Sequence, residues 1–125
     1  MDDDTARRWT RRRFGARGER RAQPLRWRPA ADVYRHSGGW LIKVELAGVA
    51  PEQIELTVDG RYLRMSGRRR DVTARRHYAC LNLEIAYSAF ERVFELPVNL
   101  AHARLDSRFQ DGMLLVEITM ESEQS

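Results

Sequence analysis

From residue 31 onward, apolar residues recur at every second position in short runs. In "WLIKVELAG", Trp40, Ile42, Val44 and Leu46 alternate with Leu41, Lys43 and Glu45, the period of a strand with one buried face. "IELTV" sets Ile54, Leu56 and Val58 against Glu55 and Thr57, and "RYLRMSG" puts Leu63 and Met65 on one side. "ACLNLEIAY" alternates Leu81, Leu83, Ile85 and Tyr87 with polar or small residues. "FERVFELP" alternates Phe90, Arg92, Phe94 and Leu96 with Glu91, Val93 and Glu95. The runs "DVYRH", "LDSRF" and "MLLVEITM" bring the expected number of short strands to eight. Gly38-Gly39, Asp59-Gly60 and Asp111-Gly112 are turn signals, and Pro51 and Pro97 interrupt pairing. No stretch between residues 31 and 121 carries a helical period. This pattern predicts an all-β fold, two sheets packed as a β-sandwich.

The last hairpin raises a question of cover. After Asp111-Gly112, residues Leu114, Val116 and Ile118 share the inward face, yet Met113 and Leu115 lie on the outward one. We expect this strand beside "WLIKVEL", with Leu115 meeting Leu41. Scattered exposed apolar residues are normal, so such a pair needs no cover; the sharper alternative is that Trp27 or Phe14 of the preceding segment, or a neighbouring subunit, lies over it.

Composition divides the chain near residue 29. With 125 residues, 42% of them apolar, there is material for one core and an appended arm. Residues 1–29 are rich in Arg, Gly and Pro and poor in aliphatic side chains, so they are expected to be a mostly disordered arm. A short helix over residues 5–14, capped by Asp4, is the one local element it suggests. Residues 30–121 form the expected domain, and 122–125 a short tail. Charge follows the same division: residues 1–30 hold ten Arg against four acids, net +6, whereas residues 31–125 hold twelve basic against fourteen acidic residues, net −2.

Several chemistries are disfavoured. No apolar run approaches the ~18 residues of a membrane helix, and the first residues lack the apolar centre of a secretory signal. A single cysteine, Cys80, makes no internal disulfide, which points to a reducing compartment and to the cytoplasm. His36, His77 and His102 are dispersed, with no ligand spacing for a metal. No phosphate-binding loop and no nucleophile elbow is present. No catalytic residue, cofactor or metal site is expected.

Three motifs in register over residues 30–120 carry a resemblance. They are "VELAGV-PE-IEL-V-G--L-MSG", then Phe90, Arg92, Phe94, Leu96 and Pro97, then Ser107, Gly112 and Leu114. Together they resemble the α-crystallin domain of the small heat-shock proteins, an immunoglobulin-like β-sandwich, in its bacterial and plant-type branch. Ala47 stands where the family usually has Pro, and Ser107 where it has Ala.

The resemblance implies an ATP-independent holdase that binds partly unfolded client proteins and prevents their aggregation. It implies a client groove between two edge strands, lined by Ile54, Leu56, Val58, Leu105 and Phe109. It also implies a homodimer made by strand exchange, in which the loop carrying Leu81, Leu83, Glu84 and Ile85 joins the partner's strand at Val33 and Tyr34. By the same resemblance a loop acid meets an arginine at the dimer contact, here Glu84 and Arg92. The family's tail motif of Ile-x-Ile type does not follow "EITMESEQS", so dimers with an open groove are expected, with small assemblies through the arm. Two alternatives remain. The arm's "RRWTRRRF" and "RWR" mix aromatics with arginines, a combination suited to nucleic acid, although nucleic acid is the less favoured partner. A co-chaperone of a larger chaperone would use the same sandwich.

Overall fold

The structure is a computed structural model that describes residues 7–8, 27–73 and 77–121. In chain order its strands are β1 (Arg7–Arg8), β2 (Ala31–His36), β3 (Gly39–Glu45), β4 (Glu55–Asp59), β5 (Tyr62–Arg68), β6 (Ala89–Glu95), β7 (Ala103–Gln110) and β8 (Met113–Met120). They form one sheet of order β1-β7-β8-β3-β2 and a second of order β4-β5-β6. Every pairing is antiparallel.

Register explains why the sheets stack. Ile42 lies opposite Val116 and Val44 opposite Leu114, so the inward rows of β3 and β8 coincide. In the other sheet Leu63 lies opposite both Val58 and Phe94. Ile42, Val44, Leu46, Leu63, Met65, Val116 and Ile118 are the fully buried heart of the core. A one-residue slip of any of these strands would turn its apolar row to solvent, so alternation specifies the register.

The β7–β8 hairpin forms where Asp111-Gly112 places it. Both residues have positive φ, 52° and 78°, as a two-residue type I′ turn requires. The turn is fastened to the end of β3 by Leu46 N–H, which donates to the Gly112 carbonyl at 2.8 Å. A Cβ on Gly112 would stand 3.3 Å from Ala47 Cβ, so the close approach also favours glycine.

Four expectations are corrected. "ACLNLEIAY" is not a strand in the single chain: residues 77–85 are exposed and outside both ladders. A lone strand needs a neighbour to pair with, and among the described residues of its own chain this segment has none. Arg7 and Arg8 are extended and paired with β7, which excludes a continuous helix over 5–14; the remainder of that segment lies outside the described residues. Leu115 is opposite Lys43, while Leu41 faces Glu117, so the two leucines are diagonal neighbours on the outer face. Trp27 does not cover them, because its ring packs edge-on against Phe90, with centroids 5.2 Å apart. Phe14 and the tail at 122–125 lie outside the described residues.

Candidate functional site: two edges of the sandwich

One edge of the sandwich is bounded by β4 and β7. Of the residues expected to line a groove there, Ile54 and Leu56 are buried in the core, while Val58, Leu105 and Phe109 are partly buried and packed against it. Along β4 the period-2 row thus runs from sealed core to accessible rim, whereas on β7 the two apolar residues are both at the rim. Ser107, between Leu105 and Phe109 on the inward side of β7, is buried. β4 ends its sheet, whereas β7 is flanked over two residues by β1, with Arg7 opposite Ser107 and Arg8 opposite Asp106. The arm therefore reaches this edge as a short added strand, which period-2 reading of the Arg-rich segment does not reveal.

The opposite edge is bounded by β2 and β6, and here the unequal widths of the sheets matter. Val33 belongs to the inward row, opposite Ile42, yet it is 49% exposed, because the larger sheet overhangs the smaller one. Tyr34, on the outer face, is 45% exposed; its hydroxyl donates to Asp32 at 3.3 Å, and Lys43 Nζ lies 5.3 Å from its ring centroid. The connection from Arg69 to Ser88 displays further apolar surface. Leu81 is 93% exposed, Leu83 57% and Ile85 53%. Exposed leucine and isoleucine at alternate positions of one segment are a denser apolar display than the scattered single residues normal on a monomer.

Between β2 and β6 the gap is closed by residues 27–30. Pro29 is fully buried. Arg92 is on the inward face of β6 between Phe90 and Phe94, opposite the buried Met65 of β5, so its side chain cannot simply turn to water. It runs to the sandwich edge, where Nη1 donates to the Pro29 carbonyl at 2.6 Å and the guanidinium carbon lies 5.1 Å from the Phe94 ring centroid. Burial, and secondarily the charge of Arg28, push the Arg92 pKa below its usual value. Within the single chain Glu84 accepts a hydrogen bond from Asn82 Nδ2 at 3.0 Å, so the expected pairing of Glu84 with Arg92 is not made inside one subunit.

The residue that sequence reasoning missed is Arg69, which reads as one charge in a charged loop. Its guanidinium carbon lies 3.6 Å from the Trp27 ring centroid, and its N–H groups donate to the Ala86 and Ala47 carbonyls. Three consecutive arginines offered no signal as to which one turns inward. Among the described residues no group of three His, Cys, Asp or Glu side chains is placed to hold a metal ion, and no helix is long and apolar enough to cross a membrane.

A β-sandwich with these edge strands and this connection is of the α-crystallin type. The chain belongs to the Hsp20/alpha crystallin family, whose model matches residues 32–125. That is a family of chaperones and not of enzymes. The chain is similar to small heat shock protein C4 of Rickettsia felis, 29% identical over 90 residues that cover 72% of this chain and 55% of that one. The chain spans a little over half the length of the two Rickettsia relatives it matches, 55% and 58%. Its fold is similar to that of heat shock protein 16.0 from Schizosaccharomyces pombe, with a TM-score of 0.70 at 22% identity, covering 80% of this chain and 94% of the other. It also resembles a small heat-shock protein from Xylella fastidiosa, with a TM-score of 0.66 at 22% identity over 81% and 93% of the two chains.

Proposed function

We propose that the protein is an ATP-independent holdase that takes up partly unfolded chains along the β4/β7 edge and works as a strand-exchanged homodimer in the cytoplasm. The observation that carries this reading is the pairing of an apolar rim, Val58, Leu105 and Phe109, with the terminal strand β4 and with β7, which β1 flanks only at Asp106 and Ser107 among the described residues. An extended segment of an unfolding client can add to a strand edge through backbone hydrogen bonds and set alternate apolar side chains against the rim. A native protein offers neither, so binding is selective for unfolded chains and lowers their free concentration by mass action. Such binding consumes no nucleotide.

Exchange is supported by the exposure of Leu81, Leu83 and Ile85 in an unpaired loop and of Val33 at the overhanging β2 edge. Laying the loop along the partner's β2 would pair both edges reciprocally and close a two-fold dimer. Glu84 would then approach Arg92 across the contact, using guanidinium N–H groups other than the one given to Pro29. The lone exposed Cys80 is compatible with a reducing compartment.

The test is aggregation of a heat-destabilised client, followed by turbidity with and without ATP. The reading expects suppression at near-stoichiometric amounts, with no effect of ATP. Unchanged turbidity at several-fold molar excess would refute it.

A further inference from the structure

The long connection between β5 and β6 begins and ends at one side chain. Arg69 directly follows β5, and its backbone N–H donates to the Ser88 carbonyl at 3.1 Å, extending the β5–β6 ladder by one step. Its guanidinium then turns toward the return end of the loop. Nε and Nη2 both donate to the Ala86 carbonyl, at 3.0 and 2.8 Å, and the Tyr87 ring centroid lies 5.9 Å away. Nη1 donates to the Ala47 carbonyl at 3.2 Å, just before Gly48. Gly48 has a φ of 86°, and a Cβ there would stand 3.1 Å from Arg69 Cδ, so the backbone makes room for this side chain. The remaining face of the guanidinium stacks on Trp27 at 3.6 Å, four residues before β2 begins at Ala31.

One planar group therefore holds three segments together: the base of the loop, the start of the β3–β4 connection, and the root of the arm. Arginine suits this role because its fork donates several hydrogen bonds in one plane while its face stacks on an aromatic ring. Lysine cannot do both. Fastening the base leaves residues 77–85 standing clear of their own sandwich, with Leu81, Leu83 and Ile85 exposed. A loop held out in this way loses less conformational freedom when it docks on a second subunit than one free to fold back.

We propose that Arg69 is a positioning residue for subunit exchange: it sets the direction in which the loop leaves the domain and couples that direction to the placement of Trp27. The proposal rests on the strand-exchange reading above and assigns part of its strength to a residue outside the contact.

The test compares wild-type protein with Arg69→Lys and Trp27→Leu by sedimentation over a concentration series, with hydrogen exchange of residues 77–88 measured in parallel. Loss of the fork and stack in Arg69→Lys is expected to weaken the dimer roughly tenfold or more, and loss of the stack, together with the Trp27–Phe90 packing, in Trp27→Leu by roughly threefold. Exchange should rise at Ala86–Ser88 in Arg69→Lys while the β3 and β8 amides stay protected, a pattern that general unfolding does not give. Dimerisation equal to wild type in both variants would overturn the role of Arg69 while leaving strand exchange standing. A wild-type chain that is monomeric throughout the series would overturn the strand-exchange reading and this proposal with it.

Discussion

Arg92 and Pro29 join the two sheets of the sandwich where they would otherwise gape. The guanidinium, carried inward on β6, meets the carbonyl of the last buried residue before β2 at 2.6 Å. Removing the donor leaves a carbonyl at a protected edge without its partner. Arg92→Ala should therefore cost about 1–3 kcal/mol, which for a domain of this size lowers Tm by roughly 4–8 °C per kcal/mol. A thermal melt followed by circular dichroism checks this, and a variant that melts with the wild type would mean that the bond contributes nothing.

The same arginine offers a test of the proposed exchange. If Glu84 of one subunit meets Arg92 of the other, the effects of Glu84→Ala and Arg92→Ala on dimer dissociation should be less than additive. Residues that share one interaction couple by about 0.5–3 kcal/mol in a double-mutant cycle, whereas independent ones add. A coupling energy near zero would show that they do not meet. Leu83→Asp, which sets a charge among the exposed apolar residues of the loop, should shift the protein toward monomer in sedimentation while leaving the circular dichroism spectrum of the folded domain unchanged.

The folding unit is proposed to begin at Trp27, not Ala31. Trp27 packs on Phe90 and under Arg69, and Pro29 is buried. A chain starting at residue 27 should melt like the full protein, while one starting at residue 31 should be less stable by about 2–3 kcal/mol or more from lost apolar burial alone. The chain starting at 27 also lacks Arg7 and Arg8, which pair with β7. It should hold clients at least as well as the full chain in the turbidity assay. Equal melting of both truncations would disprove the boundary.

Much of the sandwich was legible because one face of most strands is buried, and burial writes a period of two. β3 and β8 show it fully: Ile42, Val44, Val116 and Ile118 alternate with wetter residues and were assigned to the core from the pattern. The same rule misled at "ACLNLEIAY", where the alternation is present but the described residues supply no neighbour. Period-2 spacing reports a face that some partner buries; it does not say that the partner lies in the same chain. The groove was legible only in part. Ile54 and Leu56 share a period with Val58, and alternation cannot say where along a strand the cover ends. Arg69, Trp27 and the Arg92–Pro29 bond were not legible, since they depend on contacts between segments distant in sequence and on which of several arginines turns inward.

The most direct test of the central claim, that clients are held along the β4/β7 edge, is site-specific photo-crosslinking to a heat-destabilised client. A photoreactive side chain is placed in turn at Val58, at Leu105 and, as a control on the outer face of the smaller sheet, at Tyr62, which is exposed. Client adducts are expected at Val58 and Leu105 on heating, in the absence of ATP, and few at Tyr62. Adducts in equal yield at all three positions, or chiefly at Tyr62, would contradict that claim.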